Sequence, residues 1–536
     1  MDIANCLNDY FVSVFLKDES LDESVIFPEK CENVCIDPKF GVIDVSEQLE
    51  NLNVNKATGV DLVHPYVLKE CAKSLSIPLS IIFKKSYFSG VVPDEWLNAN
   101  ITPLFKKGNK LEPTNYRPVS LTSTVCKVME KMIREVMMNH LVSNNLLASE
   151  QHGFVNGKNC SSNLLEAFDF ITKGYEDGIN IDVIFLDFSK AFDSVSLFKL
   201  CCKLYGYGFR SFMLEWCKAF LSNRKQRVVM GEYISEWKQV TSGVPQGSVL
   251  GPLMFVIFIN DLMVDVINVL KLFADDTKIM SKIFDYNSCI ALQDDLNKLL
   301  NWSNEWSIKF NEDKCKVMHI GKTNPHFDYK MNDQTLQKTE VERDLGVIIS
   351  NDLEWSQHVI SATNKANRKL GMIKHAFKYL DIDTLKLLYK SMVRPHLEYA
   401  ATVWSPSWKS DIDKIENVQR RATHIEPLRG IDYVNRRKIL SLPLLEERRR
   451  RGDLIEMYKI TNSTGYVNFL EPLRFFDNMS RGRHNKRMHR ELVKKRCRYH
   501  YLTNRVVDDW NSLSQDAIDS LNKNTFKNKI DKIFKF

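Results

Sequence analysis

The chain of 536 residues has no apolar run reaching the roughly 18 residues of a membrane-spanning helix, so no membrane partner is expected. No secretory signal pattern is seen, and the 12 cysteines are therefore expected as reduced thiols in a protein of the nucleus or cytoplasm. Cys31 and Cys35 stand four apart, yet no second Cys/His pair follows at zinc spacing, which leaves both as packing residues. Internal repeats and low-complexity segments are absent too, which sets aside solenoids and disordered tracts. Neither sign of charge is in large excess. A net charge of +7 suits a polyanionic partner only weakly, so where the cations sit matters more than their sum. What is present is 44% apolar content, enough for a packed core in a chain long for one domain.

One stretch stands out, Val269 to Met280, reading VLKLFADDTKIM. Strand-forming residues flank two adjacent aspartates, the pattern of a β-hairpin with Asp275 and Asp276 at its tip. By itself an acidic tip is an ordinary solvated turn. A run upstream changes its meaning: IDVIFLDFSKAFDSV, Ile181 to Val195, is a strand-like series that closes on Asp187. A carboxylate ending a buried strand is costly unless it is paired or binds a cation. If the two strands are neighbours, Asp187, Asp275 and Asp276 converge, and a hard divalent cation that prefers oxygen relieves their repulsion. Two such ions, Mg²⁺ or Mn²⁺, about 3.5–4 Å apart would clamp the attacking and leaving oxygens of a phosphoryl transfer.

LDFSKAFDSV, then SGVPQGSVLGPLMF at Ser242 to Phe255, then FADD resemble motifs A, B and C of reverse transcriptases, in the wording of the non-LTR, LINE-type retrotransposon enzymes of the jockey kind. The resemblance runs the length of the chain. It implies an α+β fold, the right-hand polymerase of fingers, palm and thumb, with a helical C-terminal extension. The division it implies is an N-terminal helical lead-in over 1–85, fingers and palm over 86–350, a thumb over 351–430 and a basic helical region over 431–536. KATGVDLVHP resembles the usual lead-in to the polymerase domain, and an upstream endonuclease domain and a terminal zinc knuckle are expected to be missing.

Site residues follow from the same resemblance. Asp187, Asp275 and Asp276 are implied as catalytic metal ligands. Lys106 and Arg117 would grip the triphosphate of the incoming nucleotide, Arg through its planar bidentate fork. Phe192, five residues past Asp187, would stand beside the nucleotide sugar. Gln246 and Gly247, in the motif B turn, would lie against template or nucleotide. Lys314, in SIKFNEDKCKVMHIG with Asn311, would be a general acid for the departing pyrophosphate. The QHGFVNGK element with Lys158 resembles a template contact, and VERDLGVIIS with Leu345 and Gly346 resembles the hairpin that holds the primer end. Each has a plainer alternative: a solvated basic face, a core phenylalanine, a Pro/Gly turn, a surface ion pair.

Periodicity predicts helices over 1–15, with Leu7, Phe11, Val14 and Phe15 on one side, and over 75–87, 125–141, 197–205, 212–221, 249–262 and 292–306. A strand is predicted over 96–105, thumb helices over 355–380, 383–404 and 411–423, and a final helix pair. Asp61 is expected to cap the segment after Gly59, and Ser161 or Ser162 to begin the helix after Lys158. Arg224, Lys225 and Arg227 are expected on a basic hairpin tip. The tract 481–498 holds nine Lys/Arg against one acid, Glu491. Through Arg481, Arg483, Lys486, Arg487, Lys494 and Lys495 it would follow an RNA or DNA backbone by counterion release, a solvated helix being the alternative.

Together these readings describe an RNA-directed DNA polymerase working on an RNA template, a DNA primer or target and dNTPs, its oligomeric state left open. One rival is a silent retroelement relic that binds nucleic acid without turnover. An RNA-templated RNA polymerase is a second, opposed by Phe192 and by the lack of a Gly-Asp-Asp tip. A basic scaffold protein would leave the placement of the three aspartates unexplained.

Overall fold

The apolar run ANITPLF forms a strand, Asn98–Phe105, that pairs antiparallel with Tyr116–Leu121 and parallel with Lys225–Met230. A computed structural model of the chain describes residues 2–16, 27–462, 466–476 and 484–534, which divide into two units. The first unit takes 1–154, 186–266 and 295–312, less the residues just excluded, and contains this sheet. The N-terminal helix Asp2–Ser13 lies on it through Leu7 and Phe11, which join Ala99, Ile101 and Val228 in one small core, while Val14 and Phe15 are half-buried. Helix Thr124–Ser143 is begun by Ser123, whose hydroxyl accepts from the Cys126 N–H. Helix Gly251–Ile259 is apolar on every side and buried at every position but the half-buried Pro252, as suits an interior helix. It is shorter than its apolar run. Val249 and Leu250 instead give their N–H groups to the buried Glu130 carboxylate, at 2.6 and 3.1 Å.

The second unit takes 155–185, 267–294 and the described part of 313–536. Its sheet runs Gln337–Lys338, Lys316–Ile320, Asn180–Leu186, Asp276–Ile283, Val269–Phe273. One continuous core joins helix Cys160–Glu176, this sheet, helix Ser356–Ala376 and the C-terminal helices through Trp404, Met457, Trp510 and Phe526.

Several boundaries differ from expectation for local reasons. The helix Cys160–Glu176 is capped by Asn159, whose side-chain oxygen Oδ1 accepts from the Ser162 N–H, so Ser162 completes the cap from the third position. Helix Pro65–Glu70 is capped by the His64 ring, and Asp61 accepts the Ser123 hydroxyl at 2.5 Å. The helix expected over 383–404 is four pieces. Pro395 removes a donor and crowds the preceding turn, which widens so that the Arg394 N–H reaches back five residues to the Tyr389 carbonyl, and Ala400 at φ 51° ends the run before Ala401–Trp404. Arg224 is buried and donates to the Phe220 carbonyl, which takes it off the hairpin tip expected for it. The final pair is three short helices, Val507–Asn511, Gln515–Ile518 and Lys523–Phe534.

Candidate active site

In the second unit VLKLF and DTKIMSKI pair as a hairpin whose last register pair is Phe273 with Asp276. Its tip is Ala274–Asp275, with Ala274 at φ 54°. A residue carrying a Cβ is strained there by about 1 kcal/mol or more, and such strain gathers at functional sites. Asp275 is half-buried and Asp276 exposed. Both strands are tied down by polar side chains inside their apolar runs. Lys271 pairs with the buried Glu166, Asn163 donates to the Leu272 carbonyl at 3.0 Å, and Lys278 pairs with Asp344 with both groups buried. The hairpin's second strand is the sheet neighbour of Asn180–Leu186, the strand that leads directly into Asp187.

In the first unit Asp187 is half-buried, and its carbonyl accepts the Asn311 N–H at 2.7 Å. The next residue, Phe188, bridges and stacks on Phe310 at 4.3 Å. Lys190 turns the chain at φ 53°. Phe192 then stacks flat on Phe255 of the buried Gly251–Ile259 helix, ring centroids 4.4 Å apart and planes 16° off parallel. The motif B turn is laced to this segment: Val244 N–H to the Phe192 carbonyl at 2.8 Å, Gly243 N–H to the Val195 carbonyl at 2.8 Å, and the Gln246 side-chain amide to the Asp193 carboxylate at 2.7 Å. Burial holds the Asp193 carboxyl above the usual carboxylate range, against the pull of the Gln246 hydrogen bond and the positive charges of Lys190, Arg117 and Lys106. Gly247, at φ 126°, could carry no Cβ, because the Ser120 carbonyl fills that space. Ser120 in turn donates its N–H to the Gln246 carbonyl at 2.9 Å. Thus the Tyr116–Leu121 strand, with Arg117 exposed on it, is pinned to the motif B turn, and Lys106 is exposed at the end of the paired strand.

A family model described as reverse transcriptase (RNA-dependent DNA polymerase) matches residues 105–380, just over half of the chain. This chain belongs to the reverse transcriptase family. It is similar to the probable RNA-directed DNA polymerase from transposon X-element of Drosophila melanogaster, 24% identical over 72% of this chain and 44% of that protein. To that of transposon BS of the same fly it is 25% identical over 71% and 44%. The RNA-directed DNA polymerase from mobile element jockey of Drosophila melanogaster is 26% identical over 70% and 43%. The chain thus spans less than half the length of these relatives, and they are of the retrotransposon kind that its motifs resemble.

Around the reverse transcriptase motifs, other expected residues take these places. Lys314 is exposed on the short turn Glu312–Lys314. VERDLGVIIS is a hairpin with Leu345 and Gly346 at its tip, both with positive φ, and the Tyr399 hydroxyl donates to the Leu345 carbonyl. In the C-terminal tract Arg481 and Arg483 lie outside the described residues. Lys486 donates to the Asn462 side chain, Arg487 lies over the Phe476 ring, Lys495 over the Tyr175 ring, and Lys494 is exposed. Glu130, Glu166 and Asp344 escaped the sequence reading. Each is a carboxylate inside a helix or strand pattern whose partner is distant in the chain, and no local signal marks such a partner.

Among the described residues no group of three or more His, Cys, Asp or Glu side chains could hold a metal ion by itself. Asp187 in the first unit, and Asp275 and Asp276 in the second, each offer carboxylate oxygen only. That donor type suits Mg²⁺, which commonly takes one or two carboxylates and completes its shell with substrate phosphates and water.

Proposed function

We propose that this chain is an RNA-directed DNA polymerase that extends a DNA primer 3′-hydroxyl on an RNA template, with dNTPs as substrates and Mg²⁺ as cofactor. What supports this reading is the sheet neighbourhood of two strands, one leading into Asp187 and the other opening with Asp276. Asp187 and Asp275 would be the ligands, with Asp276 toward the outside. The metal, when bound, would neutralise the triphosphate and raise the nucleophilicity of the primer hydroxyl. Arg117 and Lys106 would hold phosphate oxygens, and Arg117 is positioned for this by the strand pinned at Ser120. Phe192, seated on Phe255, would bound the sugar, and Lys314 would give a proton to the departing pyrophosphate. In this reading 86–350 acts as fingers and palm, 351–430 as thumb and 431–536 as a basic extension.

The test is extension of a DNA primer on an RNA template with dNTPs, with and without Mg²⁺. Wild type should extend only with the metal. Asp187→Asn and Asp275→Asn should each abolish extension while nucleic-acid binding and the melting temperature stay near wild type, and Asp276→Asn should be milder. Full activity in Asp275→Asn removes the assignment. Binding without extension in the wild type would make the chain a relic.

A further inference from the structure

The strongest unexplained concentration of positive charge lies in the second unit. Helix Leu445–Asn462 and helix Lys523–Phe534 border a cavity of about 340 Å³. Six cations line it, Arg448, Arg449, Arg451, Lys459, Lys523 and Lys527, against two carboxylates, Glu398 and Glu456. Three of the six are neutralised within the fold: Arg448 pairs with Glu398, Arg451 with Asp531 in a two-pronged contact, and Lys459 with Glu456 at 2.7 Å. The other three form no close ion pair among the described residues. Lys523 and Lys527 make no ion pair among the described residues, and burial together with the neighbouring charges of Lys523, Arg451 and Lys459 pulls the Lys527 ammonium below its usual range. Arg449 is 5% exposed; the charges of Glu446, Glu416 and Asp453 act on it, yet its Nη1 is buried without a hydrogen-bond partner among the described residues. A buried guanidinium donor left open calls for an acceptor that the protein itself does not provide.

A neighbouring cavity of about 440 Å³ shares Lys459 and Lys523 with the first and continues to Lys158, in the loop ahead of helix Cys160–Glu176. Cations spaced along two adjoining hollows match an anion that repeats along a chain, with guanidinium and ammonium groups meeting successive phosphates.

We propose that these hollows form a phosphate-binding trough that takes the backbone of a single-stranded nucleic acid, with Arg449, Lys523 and Lys527 as its principal contacts. Its identification with nucleic acid rests on the polymerase reading; the phosphate chemistry does not. Cations dominate the lining of the first hollow, and Lys486 of the tract 481–498 donates to Asn462, which lines the second. Binding there would be independent of sequence and sensitive to salt.

The experiment uses the full chain and the double variant Lys523→Gln/Lys527→Gln, whose side chains are exposed or half-buried, so folding is preserved. Binding of a single-stranded RNA oligonucleotide is followed across salt concentrations. The expected slope of log Kd against log salt falls by about 1.4, two contacts at about 0.7 each. In parallel, melting is measured without divalent cations in pyrophosphate and in chloride at matched ionic strength. Pyrophosphate should raise the melting temperature of the wild type by more than that of the double variant, whose remaining shift belongs to Arg117, Lys106 and Lys314. Arg449→Gln should also reduce the pyrophosphate shift, and if it fails to fold the lysine pair decides. An unchanged RNA slope with equal pyrophosphate shifts in wild type and double variant overturns the trough. A smaller pyrophosphate shift in the variant with an unchanged RNA slope overturns nucleic acid as its ligand. Loss of slope in a chain that extends no primer upholds the trough while the polymerase reading fails.

Discussion

Phe192 shows how a single side chain can be read two ways and how geometry sharpens the choice. Its ring is stacked on the buried Phe255 of an interior helix, yet Phe192 itself is only half-buried. One side of the ring is therefore supported, and its exposed part is free to bound a substrate. If a nucleotide sugar rests there, a ribose 2′-hydroxyl is forced into overlap with a ring that cannot retreat, because its backing is close-packed. Selection of this kind is a clash against the wrong substrate, with no better grip on the right one. Phe192→Val should leave dNTP use largely intact and raise rNTP incorporation by roughly one to two orders of magnitude, for a clash of about 1.4–2.8 kcal/mol. The ratio of dNTP to rNTP efficiency in the variant is the measurement. An unchanged ratio in a folded protein returns Phe192 to the core, where emptying the site would cost a few kcal/mol and harm both substrates alike.

At the scale of elements, the hairpin Val341–Asp344 with Val347–Ser350 depends on a histidine beyond its own strands. The His358 ring nitrogen Nδ1 accepts the Ile348 N–H at 3.0 Å, while the ring packs edge-on against Trp404 at 4.4 Å. Burial, helped by the charges of Lys365 and Arg343, pushes the His358 pKa down to about 4 from an ordinary 6.5. The folded state thus refuses a proton that the unfolded chain accepts. The stability it confers is complete above pH 6.5 and is lost as pH falls from there toward 4, by up to about 3 kcal/mol. Melting temperature followed from pH 7 to 4.5 should fall more steeply in wild type than in His358→Gln, and parallel curves would refute the link. Such elements differ in how far the sequence reveals them. The aspartate hairpin was legible because two acids interrupt an apolar run, though its tip is Ala274–Asp275 with Asp276 already in the second strand; the Leu345–Gly346 hairpin was legible from the family resemblance, and helix Thr124–Ser143 because its apolar period is long. The break at Tyr389–Val393 was not. Its cause is Pro395, which lies inside the helix expected over 383–404, and the widened turn that results has no period of its own. Glu166 and Lys278 were illegible for another reason: a charge inside an apolar run looks like an exposed position until a partner from a distant segment neutralises it.

Across the whole molecule the question is how the excess of cations is used, since a net charge of +7 says little by itself. The tract 481–498 reads in sequence as a basic surface, yet its last arginine is an interior residue. The Arg498 side chain is 8% exposed and meets Asp169, 3% exposed, at 2.7 Å and Glu491 at 2.7 Å. Glu491, the tract's one acid, also takes Lys173 at 2.8 Å. Glu176 accepts the backbone N–H groups of Lys494 and Lys495, and the Tyr501 hydroxyl donates to the Leu165 carbonyl. The tract is thereby fastened along helix Cys160–Glu176 by its own charges, and only part of it remains to face a partner. The two roles separate by experiment. Removing one partner of a buried ion pair strands the other, so Arg498→Ala should cost about 3–5 kcal/mol through the uncompensated Asp169 carboxylate. Because Arg498 faces inward, the salt dependence of nucleic-acid binding should not move. Lys494→Gln/Lys495→Gln should do the reverse, keeping the melting temperature and flattening the salt slope by about one per lost phosphate contact. If Arg498→Ala melts like wild type and binds with a flatter slope, the arginine serves the nucleic acid, and the fastening belongs to the backbone bonds of Glu176 alone.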